Sequence, residues 1–236
     1  MSVATVNAEK PQGFLIPTVA KQCWGFMIGS ACFAIGSAPG LGAMLGANGA
    51  NIIFFVGAWF FTAAGLMQLF LSGAVSVPVA YAPGRMVRAE WLTAATQTFG
   101  TLMFNVSTSA ALYAKSISAQ ERFVWNPDAG GSVAFLVSGV LAFVAYAHVA
   151  KLWNPVTRHW WAVTINFLGC VAFGISAVGA YILPDGDVLD SGFANWGTFI
   201  GALCFFAASF ITLPQWDRRT RARRPRAGEG DAPVAR

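Results

Sequence analysis

Charge is scarce in this sequence. Only 11% of its 236 residues are charged, against roughly 25% in an ordinary soluble domain. Too few polar groups remain to cover a soluble surface of that size, so an ordinary soluble fold is excluded. The ionisable residues Glu90, Lys115 and Lys151 fall at the ends of apolar blocks, where long side chains reach a membrane interface. A proton pump built on intramembrane carboxylates is therefore not expected. The four cysteines, Cys23, Cys32, Cys170 and Cys204, sit within apolar blocks and form no C-x-x-C. Neither a disulfide framework nor a zinc site is expected of them. Walker-type glycine loops, H-E-x-x-H and G-x-S-x-G are missing, which points away from an enzyme. His148 and His159 would have to pair as axial ligands to hold a haem. However, Arg158-His159-Trp160-Trp161 reads as an interfacial cluster, and no cofactor is expected.

What the sequence has in abundance is apolar residues, 56% of the chain, gathered in six long blocks. About 20 apolar residues in a helix span the roughly 30 Å hydrocarbon layer. The blocks at 22–38, 51–73, 92–114, 132–152, 160–183 and 194–213 therefore predict an all-α integral membrane protein with six transmembrane helices. Pro39-Gly40, Pro184-Asp185-Gly186 and Pro214 end the first, fifth and sixth blocks. The expected organisation is a cytoplasmic segment over 1–21, a six-helix domain over 22–214 and a basic, disordered tail over 215–236. Glu9, Lys10, Pro11 and Lys21 precede the first block, so an uncleaved first helix is expected rather than a signal peptide.

Orientation follows from the basic residues. The alternate loops hold only Lys115 and Arg122, together with Glu121, Asp128, Asp185, Asp187 and Asp190. The other 13 of the 15 Lys and Arg lie on the opposite side, which the positive-inside rule makes cytoplasmic. Trp24, Trp91, Trp153, Trp160, Trp161 and Trp216 fall at those same helix ends, where indole prefers the headgroup region. Both termini are thus expected on the cytoplasmic face of the plasma (inner) membrane. Six arginines between Arg218 and Arg226 would attract anionic headgroups by about 1 kcal/mol per charge. No aromatic interleaving accompanies them, so nucleic acid is not an expected partner.

The blocks repeat. Gly29-Ser-Ala-Cys-Phe33 recurs as Gly100-Thr-Leu-Met-Phe104 and Gly169-Cys-Val-Ala-Phe173, at intervals of 71 and 69 residues. Asn51-Ile-Ile-Phe-Phe55-Val-Gly57 matches Asn195-Trp-Gly-Thr-Phe199-Ile-Gly201, with a weaker echo at Gly131-Ser-Val-Ala-Phe135. The chain reads as three parallel two-helix hairpins over 22–73, 92–152 and 160–213. A Gly-Ser near a Phe in the first helix, followed by Asn-x-x-x-Phe-x-Gly in the second, resembles YrhK-type membrane domains. The chain as a whole resembles multi-pass membrane proteins of the actinobacterial kind that contain such units. The resemblance implies bilayer-embedded hairpins and brings no activity or site residues with it.

The third block carries the clearest candidate site. Thr93, Gln97, Thr101, Asn105 and Thr108 fall on one helical face, about 22 Å long at 1.5 Å per residue. They make either the wet wall of a solute path or a set of interhelical hydrogen bonds, with Gln68 and Asn166 as partners in either case. Gly25, Gly29, Cys32 and Gly36 form a small-residue stripe on the first helix, and Gly197 and Gly201 a Gly-x-x-x-Gly on the sixth. Packing within the bundle is their expected use, with self-association into a homo-oligomer as the alternative. The function expected is a non-enzymatic structural or accessory membrane component, with the bilayer and another membrane protein as partners. The alternative is a channel or transporter for a small uncharged or polar solute.

Overall fold

The computed structural model describes residues 13, 16–79 and 83–214. Most of the N-terminal segment, and the tail with its arginines, lie outside the described residues. The long helices are α1 (Val19–Ser37), α2 (Leu41–Leu71), α3 (Ala89–Ala111), α5 (Asn126–Ala147), α6 (Arg158–Gly179) and α7 (Ser191–Thr212). A three-residue α4 (Ile117–Ala119) runs through a π-helical turn, Gln120–Trp125, directly into α5. Oxygen-bearing caps set several starts, because the first N–H groups of a helix have no partner within it. Thr18 accepts from Lys21 N–H at the head of α1, Thr157 from Trp160 N–H at α6, and Asp190 from Phe193 N–H at α7.

Four helical stretches, Met44–Leu71, Ile117–Ala147, Arg158–Gly179 and Ser191–Thr212, are long and apolar enough to cross a membrane. Large apolar side chains such as Trp59, Phe70, Val133, Val178 and Ile200 face outward from them. In water such faces would form patches far larger than a soluble monomer tolerates. The chain is an all-helical membrane protein. The helices α1 and α3 are not among the four. The first has 19 residues with Lys21 and Gln22 near its start, and the second is diluted by its Thr, Gln, Asn and Ser. At 1.5 Å per residue they measure about 28 and 34 Å.

Several expected bounds need correction. The second helix begins at Leu41 rather than 51, with a kink at Gly46 (φ 66°). The fourth block does not begin at 132, because Asn126-Pro127-Asp128 and Gly130-Gly131 are helical rather than a turn. The π-helical turn widens the backbone bonding immediately before Pro127, which cannot donate, so the helix passes through it. That block also ends at Ala147 rather than 152, and the fifth at Gly179 rather than 183. Finally, the loop between α2 and α3 contains a short antiparallel ribbon, β1 (Ser76–Pro78) with β2 (Arg85–Val87).

The helices pack in a closed ring. Contacts run from α1 to α2, α3, α5, α6 and α7 in turn, and α7 returns to α1. Within each sequential pair two glycines face one another. A Cβ on Gly29 would lie 2.9 Å from the Gly57 carbonyl oxygen, one on Gly100 3.0 Å from that of Gly131, and one on Gly201 3.1 Å from that of Gly169. Four residues after each glycine stands a phenylalanine: Phe33 and Phe61, Phe104 and Phe135, Phe173 and Phe205. All six are buried at the ring's centre, with neighbouring ring centroids 5.0–6.2 Å apart. Glycine lets the backbones approach, and the ring four residues on fills the space made beyond it. The second-helix register is therefore Gly57, Gly131 and Gly201, rather than Phe55 and Phe199 aligned with Phe135.

Candidate functional site

The phenylalanine layer divides the interior. At the end of the bundle where α1 begins and α7 finishes lies a cavity of about 460 Å³. Its polar lining comes from Gln22, Gln68, Gln97, Asn166, Ser209 and Thr212, with Glu90 and His159 on the first turns of α3 and α6. Phe26 and Phe205 form the floor toward the centre. At the opposite end lies a second cavity of about 200 Å³, whose inner face includes Phe33 and Phe104. Its polar lining includes Asn51, Ser107, Thr108, Asp128, Asn195 and Thr198.

The repeat explains why polar groups gather at two levels. Three residues before the first-helix glycines stand Phe26, Gln97 and Asn166; ten before them stand Val19, Glu90 and His159. All six line the larger cavity. Three residues before the second-helix glycines stand Phe54, Asp128 and Thr198, and all three line the smaller one. Equivalent positions occupy one height on the ring, so each cavity receives a set of three from three hairpins.

The third-helix stripe is split among environments. Thr93 and Gln97 line the larger cavity and Thr108 the smaller. Gln97 Oε1 accepts from the Ser138 hydroxyl at 2.8 Å, which fixes its amide against α5. Thr101 and Asn105 line neither cavity. The Thr101 hydroxyl donates to the Thr98 carbonyl at 2.7 Å, and the Asn105 amide donates to the Thr62 hydroxyl on α2. Thr98 adds a bond to the Gly65 carbonyl at 2.9 Å. In the middle of the stripe Asn105 thus ties α3 to α2 while Thr101 bonds within α3, and the two ends face open space. Gln68 and Asn166 share the larger cavity with Gln97 without bonding to it.

The glycine stripes meet neighbours within the chain. A Cβ on Gly25 would touch Ala64, one on Gly36 the Phe54 ring, and one on Gly197 the backbone of Ala172 and Ser176. His148 caps α5 and is exposed, whereas His159 stacks edge-on against Tyr146 at 5.1 Å, so the two do not face a common centre. No cluster of three metal-ligating side chains occurs among the described residues.

Sequence reasoning missed Asp128. It was assigned to a loop but sits in α5, on the wall of the smaller cavity. Aligning Gly131 with Gly57 and Gly201 would have placed it level with Thr198. The fold defines a helical membrane protein with two cavities of mixed polar and apolar lining, one on either side of a phenylalanine layer. No family model, no curated protein and no solved structure matches the chain.

Proposed function

We propose that the chain is a six-crossing, non-enzymatic membrane protein that admits a small polar solute along the axis of its ring and rests with that path closed by the phenylalanine layer. The observation that carries this reading is the pair of cavities, each with several polar side chains set in a mainly apolar wall, on opposite sides of six mutually packed phenyl rings. A solid bundle has no use for unpaired amides such as Gln68 around a void of about 460 Å³. Buried polar groups facing a chamber are the usual mark of a solute or ion route. An apolar constriction between wet chambers closes by dewetting.

The topology proposed has three parallel hairpins, of the kind the YrhK-like resemblance implies, around a pseudo-threefold axis. In it the larger cavity opens to the cytoplasm and the termini lie inside, a placement that the distribution of basic residues supports. In this arrangement α1 and α3 also span the bilayer, because four crossings cannot be drawn from a closed ring without leaving buried α3 unshielded. The arginines between Arg218 and Arg226, outside the described residues, would on this topology attract anionic headgroups of the plasma membrane.

The test is solute entry into liposomes, followed by light scattering with urea and glycerol as probes. Removing the Phe173 ring, which packs against Phe33, Phe104, Phe135 and Phe205, joins the cavities. Phe173→Ala should raise entry about tenfold over wild type, a change of about 1.4 kcal/mol in the barrier. Protein-free rates for a folded Phe173→Ala protein would overturn the reading. The accessory-component reading draws support from Thr98, Thr101 and the Asn105 amide nitrogen, which bond inside the bundle. It predicts no flux in any variant and a co-purifying membrane partner.

A further inference from the structure

The smaller cavity breaks the symmetry of the ring at one level. Opposite Phe54, Asp128 and Thr198 stand Gly36, Ser107 and Ser176, each seven residues after its hairpin's first glycine. In the first hairpin the Phe54 ring covers Gly36 so closely that a Cβ there would lie 2.7 Å from it. In the third, the Ser176 and Thr198 hydroxyls are 2.7 Å apart. Both sectors are satisfied. In the second, the Asp128 carboxylate makes no hydrogen bond and no ion pair among the described residues. It is not a helix-capping acid either. Ile117–Ala147 is one continuous helical stretch, and Asp128 lies eleven residues into it.

Much of the remaining lining is oxygen or aromatic, and no cationic side chain belongs to it. Four of the wall's donors are spent on backbone oxygens, while the Ser107 hydroxyl and the Asn195 amide stay open toward the void. The Trp125 Nε1–H donates to the Ala177 carbonyl at 2.8 Å and the Asn51 amide nitrogen to that of Ala111 at 3.2 Å. The Thr108 and Thr198 hydroxyls donate to Phe104 and Ala194 carbonyls at 2.8 and 2.9 Å. What remains toward the void is one carboxylate, acceptor oxygen, the Ser107 hydroxyl, the Asn195 amide, and the aromatic side chains of Phe104 and Trp125. An unpaired carboxylate in such surroundings is costly unless a positive group joins it.

We propose that this cavity binds a small primary amine in its ammonium form, with Asp128 as the counter-charge. Three N–H donors match the acceptor oxygens, and the aromatic walls attract an ammonium through cation–π contact. Size separates this occupant from a bare metal ion. Oxygen ligands must close to about 2.0–2.6 Å around a dehydrated hard cation. A volume of about 200 Å³ is instead that of roughly six waters at about 30 Å³ each. The inference deepens the proposed solute path by naming what its far chamber holds, but it concerns equilibrium binding. Amine binding without flux would refute the path and leave this site standing; flux without Asp128-dependent binding would do the reverse.

The experiment is thermal unfolding of the purified full chain in detergent, titrated with methylammonium or ethylammonium chloride. Sodium, potassium and choline chlorides at equal ionic strength are the controls. The wild type should show a saturable rise in Tm with the two amines alone. Asp128→Asn should weaken the response at least about tenfold in apparent affinity, whereas Glu121→Gln, exposed and lining neither cavity, should retain it. A wild type without a saturable rise, a rise given equally by sodium or choline, or a full response in Asp128→Asn would overturn the proposal. Should Asp128→Asn fail to fold, Asp128→Glu tests the same claim. Its longer side chain narrows the void and should shift preference toward methylammonium by about threefold. An unchanged preference would count against the site.

Discussion

Gly197 offers the sharpest test of how the ring is held together. A Cβ at this position would lie 2.7 Å from the Ala172 carbonyl oxygen, 2.7 Å from the Ser176 amide nitrogen and 2.8 Å from the Ser176 Cα. All three are backbone atoms of α6, so no side chain can swing aside and the two helices must part by several tenths of an ångström. Overpacking of this kind costs about 1–3 kcal/mol. Parting the helices also strains the bond from the Ser176 hydroxyl to the Ala194 carbonyl, now 2.7 Å long and of a type averaging about 0.6 kcal/mol in membranes. Alanine recovers up to about 1 kcal/mol of helix propensity over glycine. The net expectation for Gly197→Ala is a loss of about 2 kcal/mol, close to a thirtyfold shift in the unfolding equilibrium. Gly130 is the control: it is helical and exposed, and a Cβ there meets nothing within 4 Å. Gly130→Ala should therefore stabilise by up to about 1 kcal/mol. Reversible unfolding of both variants in mixed micelles with increasing SDS, followed by tryptophan fluorescence, measures the difference. Equal stability of the two would refute the close-approach account of the hairpin.

Other consequences follow from the same contacts. Asn105→Leu removes the amide donor to Thr62 and should destabilise by about 1 kcal/mol in the same unfolding assay, without changing solute entry, because Asn105 lines neither cavity. Gly100→Ala meets the buried Phe135 ring at 2.6 Å and the Gly131 carbonyl oxygen at 3.0 Å, so it should destabilise by about 1–3 kcal/mol in the same assay. Trp125→Phe gives up the bond to the Ala177 carbonyl and should cost about 0.6 kcal/mol, while leaving the cavity's aromatic wall in place.

The long elements were legible because membrane helices announce themselves by length and composition. The first-helix glycines were legible too, since Gly29, Gly100 and Gly169 each precede a phenylalanine by four at nearly even intervals. The second-helix register was not. Phe55 and Phe199 offered a plausible match, and only the facing backbones single out Gly57, Gly131 and Gly201. Asp128 was hidden by its neighbours: Asn-Pro-Asp followed by Gly-Gly is turn chemistry in most contexts, and a π-helical turn is what keeps it helical here. Helical periodicity marks the polar stripe as one face, either a wet wall or a helix contact. Along its length the same face passes a cavity, a helix contact and a second cavity, a change of surroundings that periodicity alone does not carry.

The central claim is that two chambers on opposite sides of the membrane are separated by six phenyl rings. Single cysteines at 97, 101 and 108, in a chain freed of Cys23, Cys32, Cys170 and Cys204, test it on one helix. A small membrane-impermeant thiol reagent is applied to sealed vesicles of either orientation. The account predicts labelling of position 97 from the cytoplasmic side only, of 108 from the outer side only, and of 101 from neither. Labelling of 97 and 108 from the same side would contradict it, as would labelling of all three from one side.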